Sequence, residues 1–407
     1  MKSIYKISWR NLWRNKRRTI ITASSIVIAV ILAIITRSMQ EGSYKNMISN
    51  SVKLTTGHIQ IHKKGYWEKK SIEKTFQNNK ELTEKLEKFH PKFLIPRLAS
   101  FALCSAGKHT KGVFVNGIVP SIETKVSNIN KKIIKGKFIA DNGNGILVGD
   151  KLASFLSVSV GDSVVLLGQG YHGVTAAGLF PVVGIFHLPS KEINSSMIYL
   201  PLKAAQNLYD VGKGLTSYSM IFSDNNSDNL SEKAEKIKAA VGGKYEVMTW
   251  MQMSPEIVQV IETDRSGGIF MLGIIYVIIG FGIFGTLLMM TLERRKEFAI
   301  MIAVGLRRGR LRLILIWETI YLSIVGALSG IILSLPIVYY FNVNPIKLSG
   351  ETAKMMEDFG ADPFMPFALR SDIFLHQALV VLILALAAAV YPIVKVNKLN
   401  ILKAMRD

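Results

Sequence analysis

Four stretches of this chain are long and apolar enough to cross a bilayer, which takes about 20 helical residues. They are residues 19–39, 268–292, 312–341 and 373–394. Amphipathic core helices would carry polar stripes; these stretches do not. Across the 407 residues 19% are charged, too many for a chain wholly inside a membrane. The mean hydropathy of +0.28 is too high for a disordered one. The fold class expected is a membrane protein. Four transmembrane α-helices, one plus three, flank a large α+β extracytoplasmic domain inserted between the first and second. A lone cysteine, Cys104, excludes a disulfide framework and a cysteine zinc cluster.

Charge sets the topology. Residues 1–18 hold seven basic and no acidic side chains. The link between spans two and three adds Arg294, Arg295, Lys296, Arg307, Arg308, Arg310 and Arg312 against Glu293 and Glu297. Lys395, Lys398, Lys403 and Arg406 follow the last span. Basic segments stay on the cytoplasmic side, so both termini and the second link are expected there. These three segments supply +15 of the net charge of +21, which anionic headgroups explain without nucleic acid. Tyr5, Trp9 and Trp13 recur at helical spacing, as on an interfacial helix leading into span one. The long apolar run, with no A-x-A site after it, is not the pattern of a cleaved signal peptide.

The domain boundaries expected are 1–18 for the cytoplasmic amphipathic helix, 19–39 for span one and 40–266 for the extracytoplasmic domain. Span two covers 268–292, the cytoplasmic link 293–311 and span three 312–341. An outer loop covers 342–372, span four 373–394 and a cytoplasmic tail 395–407. Within 40–266, alternation predicts strands at 54–62, 111–119, 146–148, 163–168, 180–187, 197–200 and 218–223. Helices are predicted at 79–89, 201–209 and 231–241, the last ending at Gly242-Gly243. Short strands mixed with helices mean α+β.

Catalytic motifs do not emerge. No G-x-x-x-x-G-K-[ST] loop occurs, so the chain carries no P-loop ATPase of its own. H-E-x-x-H and G-x-S-x-G are missing too. His58 and His62 share one strand face, expected to be solvated; two histidines do not make a metal site. Glu318 is a carboxylate inside span three and therefore a functional candidate, with pairing to nearby arginines, for example Arg312 or Arg310, as the structural alternative.

The second link stands out. Glu293-Arg-Arg-Lys-Glu-Phe-Ala-Ile-Met-Ile-Ala-Val-Gly-Leu-Arg-Arg308 clusters apolar residues between charges. That composition suits a short helix that fits a groove on another protein.

Here the sequence resembles the FtsX/MacB family of ABC transporter permeases. The segment Glu297–Gly305, preceded by Glu293-Arg-Arg and followed by Glu318, is similar to the family's coupling helix. Trp9-Arg-Asn-Leu-Trp13 resembles its amphipathic lead-in helix. The tail Asn400-Ile-Leu-Lys-Ala-Met-Arg406 is similar to its closing pattern. Gly145–Ala153, Val160–Val164 and Phe180–Phe186 resemble the outer domain of the lipoprotein-releasing LolC/LolE branch. Met301 stands where many members have Arg, which points away from the MacB branch, as does the lack of a fused ATPase.

The resemblance implies a permease subunit without its own ATPase site. It would work as a homo- or heterodimer beside two ABC ATPase subunits, which hold the ATP and Mg, while this chain needs no cofactor or metal. ATP-driven motion would reach the spans through Glu293, Arg294, Glu297, Phe298, Ile300, Met301, Gly305 and Arg308, a mode called mechanotransmission. The cargo implied is a lipoprotein taken from the outer leaflet of the inner membrane. Met39 matches a lipid-contacting position, and nearness adds Tyr44, Met47, Ile48, Met251, Ile257, Ile261 and Phe270. A hairpin hook for a soluble periplasmic carrier would comprise Gly170, Tyr171, His172, Val174, Leu179 and Phe180, its glycines suiting a mobile exposed tip. The alternatives are MacB-type efflux of peptides or amphiphiles and an FtsX-like regulator of a cell-wall hydrolase. No nucleic acid is expected as a partner.

Overall fold

The computed structural model describes residues 2–14, 16–223, 227–358 and 362–397. The closing pattern at 400–406 lies outside them. The chain divides into two compact units. One comprises Met1–Lys45, Ile261–Lys347 and Met365–Asp407; the other comprises Asn46–Val260 and Leu348–Phe364.

The first unit is helical. Its elements are α1 (Lys2–Arg14), α2 (Lys16–Ser51), α3 (Pro255–Glu293), α4 (Arg295–Ala303), α5 (Arg308–Val343) and α6 (Ser371–Asn397). Helices α2, α3, α5 and α6 are the four transmembrane helices, one before the inserted domain and three after it. Their core joins Ile26, Val30 and Ile34 of α2 to Leu322 and Ala327 of α5 and Val381 and Ala385 of α6. Lipid tails are as apolar as these side chains, so close packing has to hold the helices together. Gly326 and Gly330, one turn apart, provide it. A Cβ on Gly326 would fall 2.6 Å from Ile26 Cγ2, and one on Gly330 would fall 2.7 Å from Val30 Cβ.

Helix α1 lies along α5. Ser8 is buried and its hydroxyl donates to the Ile314 carbonyl at 3.1 Å. Tyr5 meets Trp317 edge-on at 4.5 Å, and Trp9 meets Tyr321 at 5.5 Å. The aromatic spacing read from the sequence therefore serves partly as a docking face.

The inserted domain contains one ten-stranded sheet. The strands are β1 (Ile59–Lys63), β2 (Phe93–Ala106), β3 (His109–Ile118), β4 (Ile133–Gly136), β5 (Ile146–Gly149), β6 (Ser163–Gln169), β7 (Thr175–Phe186), β8 (Met197–Pro201), β9 (Ser217–Ile221) and β10 (Tyr245–Thr249). Their order is β10-β1-β9-β2-β3-β8-β5-β7-β4, with β6 pairing both β2 and β7. That last pairing closes a ring of six strands: β2, β3, β8, β5, β7 and β6. As in a small barrel, the inward side chains fill the interior. Ala102, Cys104, Val115, Val164, Leu166 and Ile198 are among them. The remaining arm, β10-β1-β9 with the start of β2, packs on the helices Lys80–Glu87 and Ser227–Val241 around Ile59, Ile61, Leu86, Ile95 and Ile237.

Strand β2 joins ring and arm. Residues 93–97 pair with β9, residues 98–106 with β3 and residues 103–105 also with β6. The strand predicted at 54–62 begins only at Ile59. Before it, Val52–Thr56 forms a π-helical turn closed by Gly57 N donating to the Val52 carbonyl at 2.8 Å. The expected solvated face of His58 and His62 is also corrected. They are 4% and 1% exposed, because Phe222 covers one and Tyr66 stacks on the other. Among the described residues, no group of three or more His, Cys, Asp or Glu is placed to hold a metal. Segment Leu348–Phe364 belongs to this domain, where Asp362 accepts from Asn50 Nδ2 at 3.1 Å and pairs with Lys132 at 3.0 Å.

Candidate functional site

The link between α3 and α5 is shaped by its sequence at both ends. Arg294 breaks α3, and its carbonyl accepts the Phe298 N–H at 3.0 Å to start α4. At the far end Gly305 adopts φ +103°, open to glycine at little cost. Gly305 N donates to the Ile302 carbonyl at 3.0 Å and Leu306 N to that of Met301 at 2.9 Å. This pair of bonds is a Schellman termination, with Leu306 and Met301 packed on one apolar cluster as the motif favours.

The faces of α4 divide clearly. Phe298 and Ala299 are fully buried with Leu311, Leu315 and Val396. Phe298, expected to meet a partner, is thus a core residue: position 298 points at α5 and α6. Ile300 is 53% and Val304 85% exposed, one helical turn apart. Glu293, Gly305 and Arg308 are exposed, and Glu297 and Met301 half-buried.

A polar network roots this helix. Glu318 of α5, 1% exposed, accepts from Arg294 Nη1 at 2.7 Å and from Asn11 Nδ2 at 2.8 Å. Arg294, itself buried, also reaches Glu297 through Nε at 3.3 Å, and Arg14 reaches the same carboxylate at 2.6 Å. Burial works against the Arg294 charge, but Glu318 and Glu297 outweigh it and hold its pKa above the usual guanidinium value. The expected pairing of Glu318 with a nearby arginine is therefore present, made by Arg294 and, among the described residues, not by Arg310 or Arg312. Arg312, six positions back, lies on another face of the helix, and Arg310, eight back, lies about 12 Å away along the axis, whereas three- and four-residue spacings bring side chains together. Asn11 and Arg14 escaped the sequence reading, since nothing in α1 shows that its polar face meets α5.

The residues proposed to hold lipid are dispersed. In the helical unit, Met39 packs partly on the bundle core, Ile261 is buried and Phe270 is 74% exposed. Tyr44 is buried and its hydroxyl donates to Asp264 Oδ2 at 2.5 Å, so it ties helices together rather than offering an apolar face. In the inserted domain, Ile48 and Met251 pack against the arm's core. Met47 and Ile257 come together, lining a cavity of about 450 Å³ with Leu54, Ile193 and Val260.

The hairpin expected as a hook is formed by β6 and β7, paired out to Gln169 and Thr175. Its tip is not free. Tyr171 N donates to the Tyr209 carbonyl at 2.8 Å, and the Tyr171 ring packs against the barrel core. Gly170 and Phe180 are buried. His172, 3.8 Å from Glu73, Val174 and Leu179 remain exposed. Glycine at 170 lets the tip lie against the Tyr209 backbone, where an added Cβ would fall 3.0 Å from the Tyr209 carbonyl oxygen.

Two family models match the chain. A MacB-like periplasmic core domain covers residues 19–240, more than half its length, and an FtsX-like permease C-terminal module covers 269–401. The chain belongs to the FtsX/MacB permease superfamily. It lies near the LolC/LolE branch of that superfamily. The lipoprotein-releasing system transmembrane protein LolC of Xylella fastidiosa is 25% identical over 324 residues, 76% of each chain. LolE of Haemophilus influenzae, of the same system, is 23% identical over 98% of each chain. The macrolide export ATP-binding/permease protein MacB of Campylobacter jejuni is 23% identical over 83% of this chain and 54% of its own. In this FtsX/MacB permease the α4 link, with its exposed apolar turn and buried polar root, is the best-defined site.

Proposed function

We propose that this chain is the permease subunit of an ABC transporter that extracts lipoproteins from the inner membrane and passes them to a soluble periplasmic carrier. Residues 293–311 act as the cytoplasmic coupling segment. Two separate ATPase subunits, holding ATP and Mg, dock on it, and a second permease subunit completes the dimer. The observation that carries this reading is the construction of α4. Ile300 and Val304 protrude as a knob, while Arg294 at its base is fixed to α1 and α5 through Glu297 and Glu318. A push on the knob would then move the spans rather than bend the link. The relatives named for lipoprotein release support the cargo. Span two supports the dimer: its apolar stretch is 17% buried against 33% for the other three, leaving a face for another helix.

A photo-crosslinker at position 39 tests the cargo. In membranes with the ATPase it should capture a lipoprotein and release it when ATP is added. Capture of bulk phospholipid alone, or of nothing that responds to ATP, overturns the lipoprotein reading. The alignment with MacB supports efflux of peptides or amphiphiles as a second reading. ATP-dependent export of such compounds without release of lipoprotein to a carrier would favour it.

A further inference from the structure

At the basic end of the helical unit, α1, α2 and α3 line a cavity of about 630 Å³. Small-molecule sites span about 300–1,000 Å³. The helices arrange its lining in levels. Arg14 ends α1, Lys16 and Arg17 begin α2, and Glu293 ends α3, so charged side chains ring one end. Ile21 lies four residues after Arg17, and Met289 and Met290 lie four and three residues before Glu293. Such spacings stack side chains one turn apart, about 5.4 Å along the axis. The apolar level therefore sits one turn deeper in the spans than the charged one.

The charged level is unbalanced, with three cations against one carboxylate. Arg14 pairs with Glu297 at 2.6 Å but is half exposed, and a guanidinium has five N–H donors, so some stay available. Lys16 and Arg17 are exposed and, among the described residues, meet no carboxylate within ion-pairing distance. Basic residues spread along a surface attract anions only in a general way. Here three of them converge on the mouth of one cavity.

The apolar level opens sideways. Ile21 is 53% and Met289 62% exposed, on helices that cross the bilayer. The inserted domain follows the far end of α2 in the chain, so Lys16 and Arg17 mark its cytoplasmic end. A soluble anion would meet the charges and leave the apolar level without a partner. A zwitterionic headgroup would bring an ammonium against three cations. An anionic phospholipid answers both levels, and Glu293, whose carboxylate has about four acceptor positions, can accept from headgroup hydroxyls.

We propose that this cavity binds a phospholipid of the cytoplasmic leaflet with an anionic, hydroxyl-bearing headgroup. Its phosphate would lie among Arg14, Lys16 and Arg17, its hydroxyls would reach Glu293, and the first methylenes of one chain would cover Ile21, Met289 and Met290. The rest of the lipid stays in the bilayer. The site does not depend on what the permease carries.

Palmitoyl-oleoyl phosphatidylglycerol serves as the probe, and the phosphatidylcholine with the same chains as its control. Native mass spectrometry of the full chain in detergent, titrated with each lipid, should show one saturable phosphatidylglycerol site per chain. That lipid should bind at least about tenfold more tightly than phosphatidylcholine. Glycerol 3-phosphate, an anion with hydroxyls but no chains, should not displace it at equal concentration. Lys16→Gln with Arg17→Gln alters only exposed side chains and should bring the two lipids close to equal affinity. Arg312→Gln with Lys395→Gln removes the same charge from exposed positions outside the cavity and should leave the preference intact. Equal binding of the two lipids by the wild-type chain overturns the proposal, as does an unchanged preference in the Lys16 and Arg17 pair. So does equal loss in both variant pairs, which would mean general surface charge, or displacement by glycerol 3-phosphate, which would mean a free anion.

Discussion

Replacing Arg294 with Met should expose the energetics of the buried root. Arg294 and Glu318 are 4% and 1% exposed, and their closest atoms are 2.7 Å apart. At that separation and an effective dielectric of about 20, Coulomb attraction is about 6 kcal/mol. Desolvation of both ions offsets much of it, so the pair adds little over an apolar pair of the same size. Removing one partner is different. Arg294→Met leaves the Glu318 carboxylate buried with Asn11 as its donor among the described residues, and the expected loss is about 3–5 kcal/mol. Glu318→Leu should cost less, because Arg294 keeps Glu297 at 3.3 Å. The double variant should recover most of the loss. Unfolding of the purified full chain, followed as Tm, measures each corner of the cycle. ATP-driven lipoprotein release should fail in all three variants, the double included, since α4 is no longer rooted. Additive stability losses, a harmless Arg294→Met, or normal release by the double variant would refute this account.

Val304→Asp lies on an 85% exposed position, so stability, followed as Tm, should stay within about 0.5 kcal/mol of wild type while ATP-driven release is lost; normal release would remove α4 as the docking point. Gly326→Val would drive side-chain atoms into Ile26, and overpacking of this kind costs about 1–3 kcal/mol; an unchanged Tm would deny the close α2–α5 contact. Burial holds the His62 pKa below its usual 6.5, against the opposing pull of the Thr216 carbonyl and Glu246. The unfolded chain then binds a proton that the folded chain refuses, so stability is intact above pH 6.5 and falls as pH drops below it. His62→Gln should flatten that fall in pH-dependent unfolding, and an unaltered slope would count against it.

The four spans and the link were legible because runs of apolar residues and clusters of arginine need no tertiary context to be read. Strand β2 was not. Pro96 interrupts its pattern, and a proline argues against a strand interior. Here Pro96 pairs with Tyr218 of β9 where β2 passes from the arm toward the ring. Glu318 was visible as an anomaly, but its partners are Arg294, at the break between α3 and α4, and Asn11 of α1, and no spacing rule reaches across a turn. Phe298 and Ile300 read alike in composition; only the packing of α5 and α6 makes one core and the other surface. The folded-back hairpin tip depends on the Tyr209 carbonyl, a backbone group that sequence patterns cannot display.

Strand β2 also determines how the inserted domain bears force. Its 14 residues are shared, end to end, by the arm and the ring. A pull along the strand loads its ladders in shear, so many hydrogen bonds would have to fail together instead of unzipping singly. The arm therefore cannot swing against the ring as a lid does on a hinge, and opening should be one cooperative event. Such a domain delivers a displacement at one end to the other with little lost in between, as a connecting rod does.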